Sequence, residues 1–108
     1  MMSVELNSLE IPDSIPEGVG GVEFVRFWVC DDKDHVILNM GVFEPDDEAR
    51  QWGYIIADIA KHAIRGMQQD DPFRATPEQM FAQIMQGFEE RIASEKVVHT
   101  GSLRGAKQ

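Results

Sequence analysis

Residues 22–43 read VEFVRFWVCDDKDHVILNMGVF, and the fold class turns on how this stretch divides. VEFVRFWVC (22–30) and VILNMGVF (36–43) are strand-length and rich in β-branched and aromatic residues, with DDKDH (31–35) between them. Such side chains suit a pleated, half-buried surface, so the stretch reads as a β-hairpin. It lacks Asn-Gly, so a loop of about four or five residues around a type I turn is expected ahead of a tight two-residue I′ turn. Aspartate suits such a loop because its carboxylate accepts a nearby backbone N–H.

Downstream, the apolar period changes from two to between three and four. In EPDDEARQWGYIIADIAKHAIRGM (44–67), Pro45 and Asp46 mark a helix start. Asp47 and Glu48 then favour the positive end of its dipole. Trp52, Ile55, Ile56, Ile59, Ala60, Ala63 and Met67 form its apolar stripe, and Gly66 with QQDDP (68–72) marks its end. A second helix opens at TPEQ (76–79), with Thr76 as N-cap, Pro77 at the first helical position and Gln79 closing a capping box. Met80, Phe81, Ile84, Met85, Phe88 and Ile92 form its stripe. The expected fold is α+β: a β-hairpin followed by two α-helices packed on one face of the sheet (β-β-α-α). Residues 1–21, with Pro12, Pro16 and three glycines, read as an extended N-terminal arm. Residues 22–93 read as one α+β domain, and 94–108 as a disordered tail.

The hairpin carries more apolar surface than one neighbour can cover. Val25, Phe27 and Val29 point one way, and Phe24, Arg26, Trp28 and Cys30 the other. Val36, Leu38, Met40 and Val42 share one face of the second strand; Ile37, Asn39, Gly41 and Phe43 share the opposite one. A half-exposed antiparallel sheet normally alternates cleanly, apolar in and polar out. Two strands alone would also leave two open edges. Self-association into a homodimer answers both problems, and Phe24, Arg26, Trp28 and Phe43 are the candidate interface residues. The competing arrangement folds the N-terminal arm back over the second face.

Charge and cysteine usage narrow the chemistry. The net charge is −9, with −12 over residues 1–95 and +3 over 96–108. An acidic body repels phosphate backbones, which argues against nucleic-acid binding. The lone cysteine, Cys30, excludes an internal disulfide and a multi-cysteine zinc site. No apolar run approaches the roughly 20 residues that span a bilayer, so a cytoplasmic protein without membrane attachment is expected.

Two clusters are candidate sites. CDDKDH (30–35) fails as a calcium loop, because counting from Asp32 puts Ile37 at position 6 and Phe43 at position 12, where Gly and Glu are required. Strand alternation sends its neighbours in opposite directions, so it reads as a solvated turn with no metal. Asp58 and His62 stand at i and i+4 on one helix face, a spacing that lets a carboxylate orient an imidazole as a general base. No nucleophile is placed near them, and a boundary histidine paired with a surface aspartate is the favoured explanation. GVGG (18–21) precedes a strand instead of opening a helix, which is the wrong context for dinucleotide binding. No cofactor is expected.

WGYIIADIAKHAIRGM (52–67), preceded by DDEARQ and a strand pair, resembles a small bacterial family of domains of unknown function. Its Trp-Gly and Ala-Asp-x-x-x-His pattern corresponds here to Trp52, Gly53, Ala57, Asp58 and His62. The resemblance covers about residues 24 to 92 and implies a bacterial cytoplasmic protein, with no activity to transfer. The leading expectation is a homodimeric protein- or peptide-interaction module without catalytic activity. The alternative is a small-molecule binder or weak enzyme using Asp58 and His62 near a helix–sheet cleft. A third reading is a subunit of a larger assembly, tethered by its arm.

Overall fold

A computed structural model describes residues 6–94 and 99–104, the latter as backbone. Strand β1 (Val25–Cys30) pairs antiparallel with β2 (Lys33–Asn39). Helix α1 (Glu48–Asp70) and helix α2 (Pro77–Ala93) follow. The β-β-α-α order is that expected of an α+β chain. The chain then returns as β3 (His99–Arg104), parallel to β2, giving a sheet of order β1-β2-β3. Parallel neighbours need a crossover, and the helix pair is that crossover.

The turn differs from the loop expected. Cys30 lies opposite Lys33, so only Asp31 and Asp32 connect the strands, and both have positive φ, +55° and +59°. That is the type I′ geometry, whose twist matches that of the flanking strands. Aspartate tolerates the left-handed region better than most L-residues because its short polar side chain bonds locally. Two adjacent aspartates therefore stand in for Asn-Gly.

The pairing continues beyond β1, where the Asn39 amide N–H donates to the Phe24 carbonyl at 2.9 Å. Phe24 stacks on Phe43, with ring centroids 5.3 Å apart and planes 5° from parallel. It also meets Trp52 of α1 edge-on at 6.0 Å. Such ring pairs add about 0.5–1.5 kcal/mol each beyond their area burial. Gly41, at φ +78°, turns the chain after β2, and its N–H donates to the Glu48 carboxylate at 3.0 Å. Hairpin and helix are thus joined where the sequence leaves β2 and enters α1.

Helix α1 starts two residues later than expected and ends within the expected QQDDP stretch. Its N-cap, Asp47, makes no side-chain cap bond. The Asp47 carboxylate instead accepts from the Arg50 guanidinium and the Gln51 amide, each at 2.8 Å. Gly66 lies inside the helix, which stops at Asp70; Asp71 is extended and precedes Pro72, a position where the helical conformation is disfavoured. Helix α2 starts as expected: the Gln79 N–H donates to Thr76 Oγ1 at 3.1 Å, and the Thr76 N–H donates to Gln79 Oε1 at 2.9 Å.

Two other expectations change. The second edge of β2 is paired, not open, because β3 occupies it. The stretch expected as a disordered tail contains that strand, and residues 95–98 and 105–108 lie outside the described residues. HTGSLR has no apolar alternation, so its pairing rests on backbone hydrogen bonds that side-chain pattern does not report. The arm, described from Leu6, has no helix or strand; turns close from Ile15 N–H to Pro12 C=O and from Val19 N–H to Pro16 C=O.

Burial within the chain is sparse. Among the described residues Met80 of α2 is the one buried residue, at 2% exposure. The chain presents 9732 Å² of accessible surface, where a folded monomer of its 12.2 kDa mass should present about 6,000 Å². The radius of gyration is 16.6 Å, against about 13 Å for a compact chain of this length.

Replacing Asp31-Asp32 with Asn-Gly should stabilise the hairpin by about 1 kcal/mol, raising the Tm by roughly 4–8 °C; an unchanged or lower Tm contradicts the I′ turn. A second prediction concerns Asp47, whose carboxyl is held below its ordinary pKa of 3.8 by the Gln51 amide and then the Arg50 guanidinium. A depressed folded pKa supplies stability that is present above the unfolded value and lost as pH falls through the folded one. Urea unfolding of Asp47→Asn should therefore show a shallower fall in stability below about pH 4 than the parent. Superimposable pH profiles would contradict the effect.

Candidate functional site

The register places the expected site residues. On one sheet face lie Val25, Phe27 and Val29, opposite Leu38, Val36 and Asp34. On the other lie Arg26, Trp28 and Cys30, opposite Ile37, His35 and Lys33. Cys30 and His35 are thus diagonal neighbours on one face, not a directly opposed pair. Cys30 is exposed near the turn. No group of three or more His, Cys, Asp or Glu residues placed to hold a metal occurs among the described residues.

The candidate interface residues separate. Phe24 and Phe43 are half-buried in the ring cluster with Trp52. Arg26 reaches back three residues to Glu23, donating from Nη2 to both carboxylate oxygens at 3.1 Å. Trp28 is half-buried and borders a groove of about 640 Å³ between β1 and the arm. Leu9, Ile11, Ile15, Val22 and Phe27 supply the groove's apolar lining, with Glu10, Glu23 and Arg26 as charged residues. The arm runs beside β1 without sealing the strand's apolar face, since Phe27 remains 57% exposed and Val29 is exposed too.

Asp58 and His62 are both exposed on α1. The Asp58 carboxylate lies 3.9 Å from Lys61 Nζ, and neither Asp58 nor His62 lines the groove. The ion pairs Glu23–Arg26, Asp47–Arg50, Asp58–Lys61 and Asp70–Arg74 are all local, three or four residues apart. Local exposed pairs of this kind add little to stability.

Residue-by-residue reading missed a second apolar face on α2. Met80 is buried and Ile84 half-buried, while Phe81, Met85, Phe88 and Ile92 are exposed. The signal was the width of the stripe: from Met80 to Met85 it covers about 140° of helix circumference, more than one neighbouring helix fills. No described helix is long and apolar enough to cross a membrane.

No curated protein matches the chain. A solved structure from the photosynthetic bacterium Rhodopseudomonas palustrus CGA009, described provisionally as a pyruvate dehydrogenase, superposes with a TM-score of 0.56 at 22% identity. The alignment covers 94% of this chain and 100% of that one. At that identity the likeness speaks to the fold alone. The family model described as Domain of unknown function (DUF5076) matches residues 8–96, and the chain belongs to that family.

Proposed function

We propose that the protein is a homodimeric interaction module of a bacterial cytoplasm, without catalytic activity of its own. The observation that carries this reading is the burial deficit: one buried side chain, Met80, among the described residues of a chain that is 43% apolar. A single copy leaves Phe27, Val29, Ile56, Ile59, Phe81 and Phe88 exposed to water. Each such side chain, moved from water into a packed contact, contributes about 1.5–3 kcal/mol. A second copy is the partner always present at matching concentration, and closed two-fold dimers are the commonest oligomers.

The groove beside β1 extends the reading to a further partner. β1 is an edge strand, with β2 on one side and the groove on the other. An extended peptide could pair with the strand's backbone and place alternate apolar side chains against Leu9, Ile11 and Phe27. The reading that uses Asp58 and His62 draws no comparable support, because both face solvent away from the groove.

Light scattering on the eluting peak at tens of micromolar should give twice the 12.2 kDa chain mass. A particle of one chain mass rejects the homodimer.

A further inference from the structure

The apolar stripe of the α2 helix divides into two adjoining parts. The first, Met80 and Ile84, is turned inward. The second, Phe81, Met85, Phe88 and Ile92, has exposures of 53, 39, 48 and 72%. These four residues follow one another at steps of four, three and four. That is the a/d repeat of a helix–helix seam, in which each side chain enters a hole formed by four residues of the facing helix. The helix that bears them is held by a complete capping box, so the seam stands on an ordered element.

We propose that this stripe of α2 docks against the same stripe of a second copy of the chain, across a two-fold axis. The inference deepens the homodimeric reading and rests on it. Three observations select a second copy over other occupants. First, the surface in excess of a compact monomer is roughly 3,500 Å² per chain, whereas a standard interface needs only about 800 Å² per partner. Second, an a/d seam with large residues at every position is complementary to itself, as an isologous contact requires. Third, among the described residues the arm lies along β1, where its residues 7–12, 15, 20 and 21 line the groove.

Charge gives the proposal a signature. Each copy carries −9, so two copies repel at long range while the apolar seam attracts at contact. Salt screens the repulsion. The dimer should tighten as ionic strength rises, the reverse of the behaviour of an acidic protein holding a basic partner.

The test measures the dimer dissociation constant of the full chain by sedimentation equilibrium, at low and high salt, for the parent and three variants. Met85→Ala with Phe88→Ala keeps good helix formers and should raise Kd about 100-fold or more with helical circular dichroism retained. Met85→Glu with Phe88→Glu should give a monomer. Val29→Glu, on the exposed sheet face, should leave Kd within a few-fold of the parent. If the alanine pair keeps the parent Kd, or if Val29→Glu dissociates the dimer while the alanine pair does not, the α2 seam is overturned and the homodimer stands. A parent that is monomeric at both salts overturns the homodimeric reading itself. A parent Kd that increases with salt contradicts an apolar seam between like charges. Should the glutamate pair fail to fold, the alanine pair still decides.

Discussion

The arrangement depends on the two-residue turn at Asp31 and Asp32. Side chains on a strand alternate with a period of two, so register decides which residues share a face, and a slip of one residue inverts the whole set. With Cys30 opposite Lys33, the ladder brings Asn39 level with Phe24, and the Asn39 N–H reaches the Phe24 carbonyl. That contact stations the Phe24 ring between Phe43, which follows β2, and Trp52, in the second turn of α1. A longer loop of the kind expected from composition would shift Phe24 along the ladder and separate the three rings. The direction in which α1 leaves the sheet is therefore set some twenty residues earlier, by two aspartates in the left-handed conformation.

Each layer then meets the same shortage of partners. The sheet has Val25, Phe27 and Val29 on one face and Phe24 and Trp28 on the other. Helix α2 has Met80 and Ile84 covered at one margin of its apolar stripe and Phe81, Met85, Phe88 and Ile92 exposed over the rest. A chain of 108 residues cannot cover two faces of both layers from its own length, because surface falls too slowly with size in small domains. This is why one residue, and not a contiguous core, is sealed from solvent in the single chain. The exposed apolar surface is distributed over regular elements, in faces with strand and helix periods.

Much of this was legible in the sequence, and the failures have physical causes. The hairpin, both helices and the Thr76–Gln79 capping box follow from local periodicity and side-chain chemistry, and these are local in the structure too. The surplus of apolar surface on the strands was also readable, because alternation requires no tertiary knowledge. The turn was misread because Asn-Gly is the usual mark of the I′ geometry and Asp-Asp meets it less well. Gly66, which weakens a helix by about 1 kcal/mol, is carried inside α1, and the end falls in the QQDDP stretch where Asp71 precedes Pro72. Strand β3 was invisible because HTGSLR has no apolar pattern, and its pairing with β2 is non-local. The two faces of α2 were fused into one stripe because spacing alone does not say how many neighbours a helix has. Asp58 and His62 show the opposite limit: i, i+4 spacing puts two side chains near each other, yet both are exposed and the Asp58 carboxylate lies near Lys61.

On the proposed reading, the open edge of β1 favours the helices over the strands as the place for copies to meet. An exposed edge strand is a template for uncontrolled pairing, and proteins blunt it with charge, proline and covering loops. Here all three devices are at hand. The arm, with Pro12 and Pro16, runs beside β1, and Glu10, Glu23 and Arg26 stand along the groove that separates them. Two copies approaching edge to edge would have to displace both arms and bring like-charged chains together along the strand. Two copies approaching through α2 would meet an apolar line at Phe81, Met85, Phe88 and Ile92, with Glu89 at its margin. On the proposed reading the chain's acidic excess would keep finished dimers apart, while the groove would leave β1 to a peptide lying beside the arm. Self-association and partner binding would thus use opposite layers of the fold and need not compete.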